Sequence, residues 1–122
     1  MNYDISKYLN TNNQVLAIEQ SLTPLRELIR EQIRKAITMA KSRDICKADA
    51  FKLAQRDISR SNLRRCIKEI RRQLKEFGAE TKIISGIIDL DRIINEEYDF
   101  LWARIPKIPL DKGDKNESKR ND

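Results

Sequence analysis

The residues with the most obvious chemical potential are acidic. Asp89, Asp91, Glu96, Glu97 and Asp99 fall within eleven positions, and carboxylates are the ligands that hard divalent cations prefer. On a helix, however, Asp89 and Asp91 point about 200° apart, so the set does not converge on one ion. A solvated acidic face is the expectation, with no metal site. The chain contains no histidine, which removes the commonest general base, the usual catalytic triads, the metalloprotease helix and the carboxylate-histidine di-iron site. Gly78, Gly86 and Gly113 stand alone, so no glycine-rich loop can wrap a phosphate. No catalytic residue, metal or cofactor is expected, and the chain is not expected to be an enzyme.

Cys46 and Cys66 are the only cysteines, too few for a secreted disulfide scaffold and without the paired spacing of a zinc site. They are either two small buried hydrophobes or one disulfide between neighbouring helices, and spacing alone does not decide.

The chemistry that remains is recognition by charge. The formal charge of +6 is unevenly spread: residues 23–75 hold sixteen basic and six acidic side chains, a net +10, whereas residues 76–105 hold three and seven, a net −4. A polar molecule of this kind attracts polyanions at its basic part and repels them, or docks a basic partner, at its acidic part. The basic charge is densest between residues 60 and 75. With Leu63 at zero and about 100° per residue, Leu63, Ile67, Ile70, Leu74 and Phe77 fall between about −40° and +40°, an apolar stripe. Arg60, Arg64, Arg65, Lys68, Arg71, Arg72 and Lys75 fall between about 60° and 200°, with Glu69 outside the sector. Like charges at helical spacing repel by a few tenths of a kcal/mol per pair. Two groups could neutralise the face: phosphates, bound with release of counterions, or the acidic last helix, in the same molecule or across a dimer.

Such side chains need helices to position them, and the composition supplies helices. Hydrophobic residues make up 39% and charged residues 36% of the 122, with three Gly and three Pro, so turns are scarce and an all-α bundle of four to five helices is expected. Asn12 or Asn13 is placed to cap a first helix to about Leu22, with Val15, Leu16, Ile18 and Leu22 as its apolar set. Thr23-Pro24 starts a second, to about residue 41, with Arg26, Arg30, Arg34 and Lys41 opposite its apolar stripe. Ser42 or Asp44 is placed to cap a third through about Arg56. Ser59 or Ser61 starts the fourth, which Gly78 ends. A last continuous helix runs from about Glu80 to Arg104, where Pro106 stops it. The organisation expected is a helical domain over residues 1–110 and a disordered polar tail over 111–122. No apolar run approaches the ~20 residues that cross a bilayer and no leader pattern stands near the start, so a cytoplasmic protein without a membrane partner is expected.

The stretch from Lys52 to Lys68, KLAQRDISRSNLRRCIK, resembles the helix-turn-helix of bacterial and archaeal transcription regulators, on Leu53-Ala54, Ile58-Ser59-Arg60-Ser61 and Leu63-Arg64-Arg65. It covers about 17 residues. Asp57 stands where that motif usually has Gly, and Leu53 where it has a small residue. The resemblance implies that Arg60, Asn62, Arg64, Arg65 and Lys68 contact DNA from a helix lying in the major groove. The expected ligand is therefore nucleic acid, DNA ahead of RNA. The competing expectation is a helical adaptor or small subunit of a larger complex, or a homodimer. Its contact would be the acidic last helix and the aromatic end, where Tyr98, Phe100 and Trp102 do not all fit one core face.

Overall fold

The computed structural model describes residues 3–108, which include no strand. The chain is all-α: after a 3-10 turn at Ser6–Tyr8 come six helices, α1 (Gln14–Ser21), α2 (Thr23–Ser42), α3 (Lys47–Arg56), α4 (Arg60–Phe77), α5 (Thr81–Ile87) and α6 (Leu90–Arg104). The tail expected to be disordered lies outside the described residues.

Local chemistry sets most boundaries. The Asn13 side chain accepts from the Leu16 amide at 3.0 Å and starts α1. Ser59 accepts from Asn62 and starts α4, and Gly78 ends it at φ 105°, in the left-handed region that glycine enters without penalty. Three boundaries differ from expectation. Thr23 does not cap α2; its hydroxyl donates to the Gln20 carbonyl at 2.7 Å, and only Leu22 separates α1 from α2. Neither Ser42 nor Asp44 caps α3. Cys46 holds that place with no side-chain bond, while Asp44 takes a φ of 60°. The last helix is two: Ile88 adopts an extended conformation, and Asp89 then accepts from the Arg92 amide at 3.3 Å to open α6.

Two compact units are present, one comprising the residues up to Glu31 with Ser59–Glu97, the other Gln32–Ile58 with the residues from Tyr98 onward. The division falls within α2 and within α6. In the first unit Ile18, Leu22, Leu25, Ile29, Leu63, Ile70, Leu74, Ile84 and Ile93 are almost wholly buried, each side chain contributing roughly 2 kcal/mol by leaving water. Cys66 is buried with them, and burial pushes its thiol up to about 12. Phe77, expected in this stripe, is instead 43% exposed, as are Val15 and Leu16 at 49% and 43%. Small Ala17 and Ser21 complete the buried face of α1 in their place. The second unit buries Ile33, Ile37, Ala40, Ala50, Ala54, Tyr98, Leu101 and Ile105. Cys46 is exposed and both thiols are free, which answers the disulfide question.

The first unit also buries a charge. Glu97 is 3% exposed, and a carboxylate out of water must be paired and hydrogen-bonded. Arg26 donates to it at 2.7 Å, Arg30 donates to its other oxygen, and Arg26 reaches Glu96 at 3.0 Å. Arg26 and Arg30 stand one turn apart on α2, so both reach one carboxylate. The solvated side expected for these two arginines is therefore partly covered.

Two predictions follow from the fold. A Cβ at Gly78 or at Gly86 would meet nothing within 4 Å, so only the backbone conformation distinguishes them. Gly78→Ala is expected to cost about 1 kcal/mol in urea unfolding, and Gly86→Ala, inside α5, to gain about 0.5 kcal/mol; equal effects would refute the left-handed cap. Glu97→Leu removes the buried carboxylate that Arg26 and Arg30 share and is expected to cost about 2–3 kcal/mol, most of which the triple change Glu97→Leu, Arg26→Leu and Arg30→Met recovers. A loss under about 0.5 kcal/mol for the single change would show that the cluster is solvated.

Candidate nucleic-acid interface

α4 is anchored by one face and charged on the other. Its buried side carries Leu63, Cys66, Ile70 and Leu74. Beside them Gln73 grips the N-terminal segment, donating to the Tyr3 carbonyl at 2.7 Å and accepting from the Ile5 amide at 3.0 Å. Ile5 is fully buried. The helix is thus fixed in rotation, and the side chains at 64, 68, 71 and 75 are committed to the outer side.

The eight positions expected to contact nucleic acid divide into three groups. Arg64, Lys68, Arg71 and Lys75 recur at steps of four, three and four. They span about 60° of the helix wheel and about 16 Å of axis. With Ile67 and Arg72 they line a shallow groove of about 480 Å³, and no carboxylate lies among its lining residues. None of the four forms an ion pair among the described residues. Arg64, Lys68 and Lys75 are exposed. Arg71 is half-buried, and its Nε is buried without a hydrogen-bond partner among the described residues.

Arg65 and Asn62 stand on the shoulder of this stripe. They line a second concavity of about 740 Å³ with Tyr3, Leu28, Lys68, Glu69 and Arg72. The remaining two are already engaged. Arg60 pairs with Asp91 at 3.0 Å. Arg72 is held on its own helix by Glu69 and Glu76, which keep its guanidinium firmly charged, and hydrogen bonding from Arg72 in turn holds the Glu69 carboxyl below its ordinary value.

The acidic last helix does not neutralise this face. Among the described residues Glu96 and Glu97 turn to α2, Glu96 also pairs with Arg92 at 2.8 Å, and Asp99 pairs with Lys47 at 3.0 Å. Only Asp91 reaches α4, at Arg60. Helical spacing does put Glu97 on the apolar side of α6, four residues after Ile93 and four before Leu101, but its partners on α2 lie about seventy residues away and nothing local names them. No group of three or more His, Cys, Asp or Glu side chains among the described residues could hold a metal ion, and no helix among them is long and apolar enough to cross a membrane.

The aromatic end belongs largely to the interior of its own unit. Tyr98, expected in a docking patch, is 3% exposed. Its hydroxyl donates to the Lys47 carbonyl at 2.6 Å, its ring meets Phe51 edge-on at 4.8 Å, and it stacks with Trp102 at 5.9 Å. Burial first, then Asp99 and Cys46, push its phenol up to about 12. Lys41 lies 5.0 Å from the Trp102 ring and donates to the carbonyls of Trp102 and Ile105, closing the end of α6. Phe100 is half-buried under the Arg104 guanidinium, 3.6 Å from its ring. Of the three aromatics, Tyr98 is interior, while Phe100 and Trp102 are half-buried.

Both helices of the helix-turn-helix likeness are present, α3 ending at Arg56 and α4 beginning at Arg60, but they fall in different compact units. Comparisons of the chain with protein-family models, with curated proteins and with solved structures each find no match.

Proposed function

We infer that the protein binds nucleic acid, duplex DNA above all, through the cationic stripe of α4, and that it acts by binding alone. The observation that carries this reading is the lack of any carboxylate partner for Arg64, Lys68, Arg71 and Lys75 among the described residues. Four neighbouring cations on one face repel one another, and a phosphate backbone relieves that repulsion while releasing counterions. The buried, unpartnered Nε of Arg71 fits the same reading, since a side chain that turns outward to a phosphate gains an acceptor.

The stripe also favours one kind of nucleic acid. Single-strand binders rely on aromatic platforms on which bases stack, and no aromatic side chain lines this groove. The major groove of an RNA duplex is too deep and narrow for side chains to read, whereas that of B-DNA admits a helix. A recognition helix reads bases from its N-terminal residues. The unpaired cations here extend to Lys75, near the other end, which suits tracking along a backbone with modest sequence preference. A helix-turn-helix use of Asn62, Arg64 and Arg65 would add base contacts to that framework.

Fluorescence anisotropy of labelled duplex DNA, single-stranded DNA and RNA tests the reading. Duplex DNA is expected to bind most tightly at low salt. Reversing Arg64, Lys68, Arg71 and Lys75 to Glu is expected to abolish binding, while reversing exposed Lys7, Arg34 and Lys82 leaves most of it. Absence of binding at low salt, or equal binding by the two variants, would overturn it.

A further inference from the structure

A second unsatisfied surface lies in the other unit. Between the end of α2 and α3 there is a groove of about 380 Å³ whose apolar lining is Ala36, Met39, Ala40, Ile45 and Leu53. Met39, Ile45 and Leu53 are each only half-buried, so large apolar side chains are left in contact with water along one concave strip. Its rim is basic: Lys35, Arg43 and Arg56 line it against the single acid Asp57. That unit has four carboxylates among its described residues, and three are engaged elsewhere, Asp44 by Lys107, Asp49 by Lys52 and Asp99 by Lys47. Lys35, Arg43 and Arg56 form no ion pair among the described residues.

We propose that this groove docks an acidic peptide segment of a partner protein, one or two large aliphatic or aromatic side chains entering the apolar strip while flanking Asp or Glu side chains meet Lys35, Arg43 and Arg56. Charge complementarity selects this occupant. Lys35 stands on α2, Arg43 in the turn just past its end, and Arg56 at the end of α3. Carboxylates spaced along a peptide meet such separated cations one for one, with an apolar anchor between them. Methionine in the floor suits an anchor of variable shape, because its unbranched side chain repacks at low cost. The groove shares no lining residue with the α4 stripe, so the two surfaces can be occupied and tested independently.

The test is selection of a random-peptide phage library on the immobilised full-length protein, followed by NMR mapping of the winning peptide on isotopically labelled protein. Enriched sequences are expected to combine acidic residues with Leu, Ile, Phe or Trp. Capture is expected to fall at least tenfold with Lys35→Glu, Arg43→Glu and Arg56→Glu combined, and to be unchanged by Arg71→Glu with Lys75→Glu. Shifted resonances should cluster at residues 35–57. Three outcomes would overturn the proposal: no enrichment, capture indifferent to the groove variant, or an acidic peptide whose footprint and variant sensitivity fall on α4. The last would show that acidic peptides are attracted to the cationic stripe and leave the groove unused.

Discussion

A carboxylate withdrawn from water has to find positive charge at hydrogen-bond distance, and Glu97 is such a carboxylate. With 3% of its surface exposed, it holds Arg26 and Arg30 of α2 and so ties α6 to α2 within the first unit. Glu96 joins through Arg26 and Arg92. The consequence reaches beyond that cluster. The acidic helix spends its central charge on α2, and Asp99 is taken by Lys47, so among the described residues α6 offers α4 one acid partner, Asp91. Among the described residues, four cations of one α4 face, Arg64, Lys68, Arg71 and Lys75, are left without a carboxylate partner. Burial of a single glutamate and exposure of a cationic stripe are two sides of the same distribution of charge.

What the sequence made legible is what nearest-neighbour chemistry decides. Asn13, Ser59 and Gly78 act at the helix ends expected of them because capping needs only residues a turn away. The apolar stripe of α4 was visible too, with Cys66 in place of Phe77 as the refinement. The break between α5 and α6 was hidden because Ile83, Ile84, Ile87, Leu90 and Ile94 keep helical spacing across it. Asp89 was counted among a cluster of acids, although an Asp three residues before Arg92 also fits a helix cap. Distant pairing is a different matter. Helical spacing separates Glu97, which stands between Ile93 and Leu101 on the apolar side, from exposed Glu96 on the opposite side, but it does not name the two arginines that pair with Glu97. Tyr98 likewise looked like one of several aromatics on a crowded helix, and its burial depends on Phe51 and the Lys47 carbonyl from a distant segment.

The candidate interface follows the same division. Helical geometry alone assembled the cationic sector, and the fold sorted it: Arg60 and Arg72 are engaged by carboxylates, Arg65 and Asn62 lie on a shoulder, and four cations remain in one line. Surface ion pairs such as those of Arg72 contribute little to stability, so their importance here is in setting which charges stay available. The four remaining cations are the groups on which the proposed recognition of a phosphate backbone rests.

Counting the ions released on binding tests the central claim most directly. The affinity for duplex DNA would be measured across a series of salt concentrations, for the native protein and for variants with one or two of Arg64, Lys68, Arg71 and Lys75 changed to Gln. Four phosphate contacts predict a slope of log affinity against log salt of about −3.6, which becomes shallower by about 0.9 for each cation removed. A native slope near zero, or a slope unchanged when two of the four are neutralised, would contradict the assignment of the stripe as the phosphate-binding surface.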